Sequence, residues 1–249
     1  MKSWFAEGGT KELSRNGILK QRARTTLLGH WGEHITYSLL LISLELLAGM
    51  VTGLITPAGL TAVVYTLLIS LILQLLLGLF YDGALLHFLK TLRGEPSPIQ
   101  DAFVPLRTQP DRYLIVDAAR LAVAIILYLP IFFSEFIVPD GTARLIFILV
   151  WIVAGSVLYL VITAPISMAR FLLMENSGLG AMQALKDSAE LMRGQGGRYV
   201  KLILSFAGFI LLAACTAGIG FVWVLPYMLT SLAAFYDDLK GGAQGSNVG

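Results

Sequence analysis

The sequence carries little charge for its length. Asp, Glu, Lys and Arg together make up 14% of the 249 residues, against roughly 25% in an average soluble domain. Hydrophobic residues make up 56%, and a water-soluble globule of this size cannot bury so much apolar surface. The composition therefore excludes an ordinary soluble domain and favours a protein embedded in a membrane.

The sequence also lacks an excess of basic residues and has little cysteine. Eighteen Lys and Arg residues face sixteen Asp and Glu residues, which leaves a net charge of +2. That charge is too small for a protein that binds nucleic acid by neutralising many phosphates, so nucleic acid is excluded as a partner. Cys215 is the single cysteine, which excludes an internal disulfide and a metal cluster built from thiolates of this chain.

What the sequence has in abundance is long apolar runs. A helix needs about 20 apolar residues to cross a bilayer, and six runs reach about that length. The predicted spans are residues 35–57, 59–81, 113–138, 145–171, 199–217 and 219–236. We therefore predict an all-α, polytopic integral membrane protein with six transmembrane helices.

The distribution of Lys and Arg predicts the orientation of these spans, because positive charge is retained on the cytoplasmic side. Basic residues precede the first span, follow the last, and lie between spans two and three and around the segment between spans four and five. The opposite connections together contain one basic residue, Arg144. Both termini are therefore predicted to be cytoplasmic.

An internal repeat accompanies the spans. A polar segment of about 20 residues with helical apolar spacing precedes each pair of spans, as in Leu19, Ala23 and Leu27 of the first segment. Two spans per unit would give all three copies the same orientation. We predict one membrane domain of three parallel repeats, at about 11–90, 95–173 and 177–240, with a flexible tail at 241–249. The alternative is an ordinary alternation of basic loops and apolar hairpins.

The first polar segment is typical of a helix that lies in the membrane interface. Lys20, Arg22 and Arg24 precede Trp31, and basic side chains on such a helix are attracted to anionic lipid. These four residues are predicted interfacial lipid contacts. The alternative is a solvated cytoplasmic connector.

Several runs of residues resemble the bacterial multi-pass membrane family called domain of unknown function 975. The most specific lie in the last third, at 180–188, 191–194, 204–206, 218–227 and 235–236, with weaker ones at 19–20, 23–24, 30–31, 94 and 103. The resemblance covers nearly the whole chain. It implies a six-span protein of the bacterial cytoplasmic membrane, distantly akin to membrane domains attached to glycerophosphodiester phosphodiesterases. It brings no catalytic residues.

Two short motifs have the form of catalytic sites. His30 and His34 match the H-x-x-E-H pattern of some zinc peptidases, but Gly32 disfavours a rigid helix there, and Trp and His are ordinary anchors at a membrane interface. The Tyr-Asp pairs at 81–82 and 236–237 are similar to half of an intramembrane aspartyl protease signature, whose second half is absent. We therefore predict no catalytic residue, no metal site and no cofactor.

Glu45 is the best single candidate for a functional residue. It lies eleven residues into the first predicted span, where an ionised carboxylate is costly unless it faces a partner or a cavity or carries a proton. The alternative is a protonated side chain that is hydrogen-bonded between helices. Asp117 and Arg120 lie three residues apart and are predicted to form a structural ion pair on one helix face.

These observations favour a protein that is not an enzyme. The first hypothesis is a membrane protein that binds or transports a lipid-like or small-molecule ligand, with Glu45 as a ligand or ion contact. The alternative is an accessory protein that holds a protein partner or organises lipid without transport. A membrane-embedded hydrolase that uses His30, His34, Asp82 or Asp237 is a third. The expected partners are membrane lipid and either another protein or further copies of the chain.

Overall fold

The computed structural model describes residues 16–29, 31–54 and 59–246, which form α-helices and two 3₁₀ turns, with no strand in these ranges. The first six helices are α1 (Asn16–Leu27), α2 (Trp31–Gly53), α3 (Gly59–Leu92), α4 (Val104–Arg107), α5 (Pro110–Phe132) and α6 (Ser134–Ile137). The others are α7 (Gly141–Thr163), α8 (Ala169–Glu175), α9 (Ala181–Leu191), α10 (Gly196–Leu204), α11 (Ala207–Cys215) and α12 (Phe221–Ser246). The 3₁₀ turns are Ile99–Phe103 and Ala164–Ile166. The all-α prediction is confirmed for these residues.

Five helical segments among the described residues are long and apolar enough to cross a membrane. They are Trp31–Gly53, Val64–Leu92, Pro110–Phe132, Gly141–Glu175 and Gly196–Cys215. Large apolar side chains on them face outward, and Leu46, Ile126 and Val153 are 65%, 70% and 67% exposed. Such a surface suits lipid rather than water, so the chain is a membrane protein.

The sixth predicted span, 219–236, falls largely in α12, which is not among these five segments and is buried over residues 229–236. Its residues Leu229, Ala233 and Tyr236 are fully buried, and α12 contacts α1, α2, α3 and α11. Thr230 is also buried, and its hydroxyl donates to the Pro226 carbonyl at 2.7 Å. A helix that packs against other helices can carry small polar residues inside a membrane protein. Whether this segment crosses the membrane, and so the number of spans, stays a prediction.

Helix α1 packs on α12 at one end of the bundle. The predicted apolar face, Leu19, Ala23 and Leu27, is buried, and the contacts between α1 and α12 show that protein covers it. The first polar segment is therefore a helix, as its spacing predicts, and its apolar face meets protein.

The polar segment before the third hairpin agrees only in part with the face that the spacing predicts. We expect Met182, Leu185, Ala189 and Met192 to point inward, and Met192 is fully buried, but Met182 is 64% exposed. The buried residues of α9 are Ala181, Ala184 and Ser188. Small side chains allow α9 to approach α8 closely, and Ser188 Oγ donates to the Pro165 carbonyl at 2.7 Å.

The carboxy-terminal helix continues beyond the last apolar run. The backbone of α12 stays helical to Ser246, residues 247–249 lie outside the described residues, and the flexibility of the tail at 241–249 stays a prediction. The apolar run ends at 236, but Asp, Leu, Lys, Gly, Ala and Gln follow, and no proline interrupts the hydrogen bonds of the helix.

Candidate functional site

A cavity of about 1020 Å³ lies between the helical hairpins. Its wall comes from α2, α3, α5, α7, α8 and α12, together with the turn that precedes α12. Most lining residues are aliphatic, including Leu75, Leu121 and Ala124. The polar lining residues are Glu45, Gln74, Tyr81, Asp117, Arg120, Tyr159 and Arg170. Small-molecule sites typically measure about 300–1000 Å³ and combine apolar walls with few polar groups, so this cavity has the size and chemistry of a ligand site.

One side of the cavity is closed by a buried ion cluster. Arg170 Nε lies 3.2 Å from Asp82 Oδ1, and Arg170 Nη2 donates to Asp117 Oδ1. The side chain of Asp82 is 0% exposed, that of Asp117 5% and that of Arg170 11%. The guanidinium carbon of Arg170 also lies 5.0 Å from the centre of the Tyr81 ring. The cluster joins α3, α5 and α8 beside the cavity.

Close packing is required where this cluster meets α3. A Cβ atom added at Gly78 would overlap Oδ2 of Asp117. Gly83, further along α3, lies against the backbone of Ala102. A Cβ atom added at Gly83 would lie 2.6 Å from the Cα atom of Ala102. Only glycine therefore allows these two close approaches.

Asp117 forms an ion pair, but its partner is not Arg120, which the sequence predicts. The ion-pair partner of Asp117 within the described ranges is Arg170. Residues three apart on a helix share a face, but α8 presents a second guanidinium to the same carboxylate from across the bundle. That contact between helices could not be read from spacing along one helix.

Arg120 lies on the cavity wall and is half-buried. Its Nε is buried and has no hydrogen-bond partner in the part of the chain that the structure describes. None of the ion pairs within 4 Å among those residues includes it. Guanidinium donors are strong and planar, so Arg120 offers the cavity hydrogen-bond donors together with a positive charge.

Glu45 also lies on the cavity wall, and its residue is exposed. The ion pairs found in the described segments do not include it. We expect no basic residue near Glu45 from the sequence, yet Arg120 and Arg170 line the same cavity. Glu45, Arg120 and Arg170 lie on three different helices, so their common position on the cavity wall cannot be read from the sequence of any one apolar run.

His34 of the H-x-x-E-H motif belongs to a hydrogen-bonded chain. His34 is buried, and its Nδ1 lies 3.0 Å from Nε2 of His87. His87 Nδ1 lies 2.9 Å from Ser97 Oγ, which donates to Asp101 at 2.8 Å. The described residues contain no group of three or more His, Cys, Asp or Glu able to hold a metal. His30 lies outside the described residues.

The predicted lipid-contact residues meet different surroundings. Lys20 donates to the Ser205 carbonyl at 3.2 Å and lies 4.3 Å from the centre of the Phe206 ring. Partial burial lowers the pKa of Lys20. Arg22 Nη2 lies 2.8 Å from Asp237 Oδ2. Arg24 is exposed and Trp31 is half-buried, so Lys20 and Arg22 contact protein, and lipid contact by this group stays a prediction.

A second ion cluster links the ends of α1, α3, α8 and α12. Asp237 pairs with Arg22 and Arg93, and Arg93 also lies 2.7 Å from Glu175. Glu175 accepts from Tyr236 at 2.5 Å and pairs with Lys240. Burial opposes the charge of Arg93, but its hydrogen bonds with Glu175 and Asp237 outweigh that effect and raise its pKa.

Asp82 and Asp237 therefore do not form a catalytic pair. Asp82 lies in the cluster around Arg170, and Asp237 lies in the cluster around Arg93. Each carboxylate is paired with arginine, whereas an aspartyl protease needs two carboxylates that share one proton. In the described chain, the aspartates of both Tyr-Asp motifs form ion pairs with arginine.

Sequence reasoning did not identify Gln74, Tyr159 and Arg170 as residues of a common site. Each is a polar side chain within an apolar run, which is the one signal available in a single sequence. That signal identifies polar residues that need a partner or a cavity, but it does not show which helices face one another.

The profile of a family described as "Protein of unknown function (DUF975)" matches residues 14–243. No curated protein and no solved structure matches the chain. The match covers most of the sequence and confirms the resemblance seen in its motifs. The chain is thus a member of the DUF975 family of proteins of unknown function.

Proposed function

We propose that this protein binds an amphiphilic, lipid-like ligand in the cavity between its hairpins and carries out no reaction on it. The observation that carries the proposal is the combination, in one cavity of about 1020 Å³, of aliphatic walls with the charged side chains of Glu45 and Arg120. Aliphatic walls favour a hydrocarbon chain. Charged groups on such a wall favour a ligand with a polar head.

The proposal includes six spans and cytoplasmic termini. Helix α12 has 26 residues and packs along α2 and α3, and its length is enough to cross a hydrocarbon core. The distribution of Lys and Arg supports a bacterial cytoplasmic membrane with both ends inside. Short helices precede the hairpins, as α1 and α9 illustrate, which supports three parallel repeats.

Binding is tested with a bulky substitution in the wall. Ala124→Trp places a large side chain in the cavity, whereas Val153→Trp places the same side chain at a position that is 67% exposed on the outer surface. Native mass spectrometry of the purified proteins should show bound lipid on the wild type and on Val153→Trp, and much less on Ala124→Trp. Equal lipid on all three proteins would place the bound lipid outside the cavity and contradict the proposal.

The competing hypothesis is an accessory protein that holds another protein or organises lipid through its surface. It predicts that Ala124→Trp has no effect in cells, while charge reversal at exposed Arg24 impairs function. Transport is a further step: if the bound ligand crosses the membrane, proteoliposomes with the wild type should move it faster than those with Ala124→Trp.

A further inference from the structure

The charges of the cavity define the head group of the ligand. We infer that the ligand has a zwitterionic head, in which a phosphate contacts Arg120 and a primary ammonium contacts Glu45; this inference rests on the proposed function. Both side chains line the cavity, and neither belongs to an ion pair found in the described ranges.

Arg120 is suited to phosphate because its guanidinium carries a positive charge and one of its donors lacks an acceptor. The buried Nε has no acceptor in the described segments, and a buried polar atom without a partner is unfavourable. Asp117, the nearest acidic residue along the same helix, is occupied by Arg170. A phosphate that accepts from two guanidinium nitrogens would satisfy Arg120 with a strong, charge-assisted contact.

The charge balance favours a zwitterion over an anion. The cavity wall contains the carboxylates of Glu45 and Asp117 and the guanidinium groups of Arg120 and Arg170. These two acidic and two basic groups balance, so a ligand with a net negative charge would leave an uncompensated charge in an apolar cavity. A zwitterion adds no net charge.

Glu45 accounts for the positive charge of the head group, because its carboxylate can pair with an ammonium. A carboxylate accepts hydrogen bonds, and a primary ammonium provides three N–H donors. A neutral head would offer neither Glu45 nor Arg120 a charged group of the ligand to pair with. A simple cation would pair with Glu45 but leave the donors of Arg120 without an acceptor.

The test compares three ligands with the same acyl chain: lysophosphatidylethanolamine, lysophosphatidylglycerol and monoacylglycerol. Affinities for the detergent-purified, full-length protein are measured by native mass spectrometry and by thermal shift. We expect the wild type to bind the ethanolamine lipid about tenfold more tightly than the glycerol lipid, which lacks the ammonium, because the difference is one charge-assisted hydrogen bond. Monoacylglycerol lacks both charges and should bind about a hundredfold more weakly than the ethanolamine lipid.

Separate variants test the contact of the ammonium with Glu45 and the contact of the phosphate with Arg120. Glu45→Gln should abolish the preference for the ethanolamine lipid over the glycerol lipid. Arg120→Gln should lower the affinity for both phospholipids about tenfold without affecting monoacylglycerol, and Arg120→Lys should retain part of the phosphate contact. The matched controls are Glu33→Gln and Arg144→Gln, which change the same residue types outside the cavity lining.

Failure of the inference can be distinguished from failure of the proposed function. Equal binding of all three ligands, abolished by Ala124→Trp, would overturn the zwitterionic head while the cavity stays the binding site. Tighter binding of the glycerol lipid would overturn it in the same way. Absence of any binding that is sensitive to Ala124→Trp would overturn both. If Arg120→Gln does not fold, Glu45→Gln and Arg120→Lys still decide the result.

Discussion

Replacing Arg170 should destabilise the protein more than replacing any exposed arginine. In Arg170→Gln, the carboxylates of Asp82 and Asp117 lose their shared guanidinium while they stay buried, because their side chains are 0% and 5% exposed. Removing one partner of a buried ion pair typically costs about 3–5 kcal/mol, since the remaining charge is left uncompensated. The contact of Arg170 with the Tyr81 ring, 5.0 Å away, is lost as well.

The matched control for this prediction is Arg144→Gln. Arg144 lies 3.8 Å from Glu135, whose side chain is 81% exposed, and exposed pairs contribute about 0–1 kcal/mol. For a chain of this length, 3 kcal/mol corresponds to a decrease in Tm of about 6 °C or more. Thermal unfolding in detergent should therefore separate the two variants clearly.

A second substitution tests the origin of the destabilisation. Adding Asp117→Asn to Arg170→Gln removes one of two adjacent buried carboxylates, so part of the lost stability should return. If Arg170→Gln unfolds within 1 °C of Arg144→Gln, or if the double variant is less stable than Arg170→Gln, the buried-cluster account is refuted.

Three further predictions concern packing and topology. Gly78→Ala should lower the free energy of unfolding by about 1–3 kcal/mol, because its Cβ overlaps Asp117 Oδ2, whereas Gly49→Ala, with open space around it, should change Tm little. Arg112→Gln should cost about 1–3 kcal/mol, because Arg112 donates to the carbonyls of residues 176, 177 and 179; unchanged thermal unfolding would contradict this. A cysteine at position 140, exposed in the loop before α7, should react with an impermeant reagent from outside intact cells, and protection there would reverse the proposed topology.

The sequence predicts the helices well because their signal is local. An apolar run long enough to span a bilayer predicts a helix wherever it occurs, and five such segments appear in the described chain. The inward face of α1 is likewise predicted by spacing, since Leu19, Ala23 and Leu27 recur every four residues and are the buried residues of this helix.

The site is harder to predict because it depends on contacts between helices. Asp117 has two arginines available, one on its own helix and one on α8, and the sequence alone favours the nearer one. The structure gives it Arg170 and leaves Arg120 on the cavity wall. A single sequence therefore identifies Glu45 as costly in a membrane, but it contains no signal that Arg120 lines the same cavity.

The most direct test of the central claim is a density map of the wild-type protein in lipid nanodiscs, enlarged for imaging by a bound antibody fragment. The account predicts an elongated density along the aliphatic wall beside Ala124, with its polar end between Arg120 and Glu45. A cavity filled by repacked side chains, or a wall with water-sized densities alone, would contradict it.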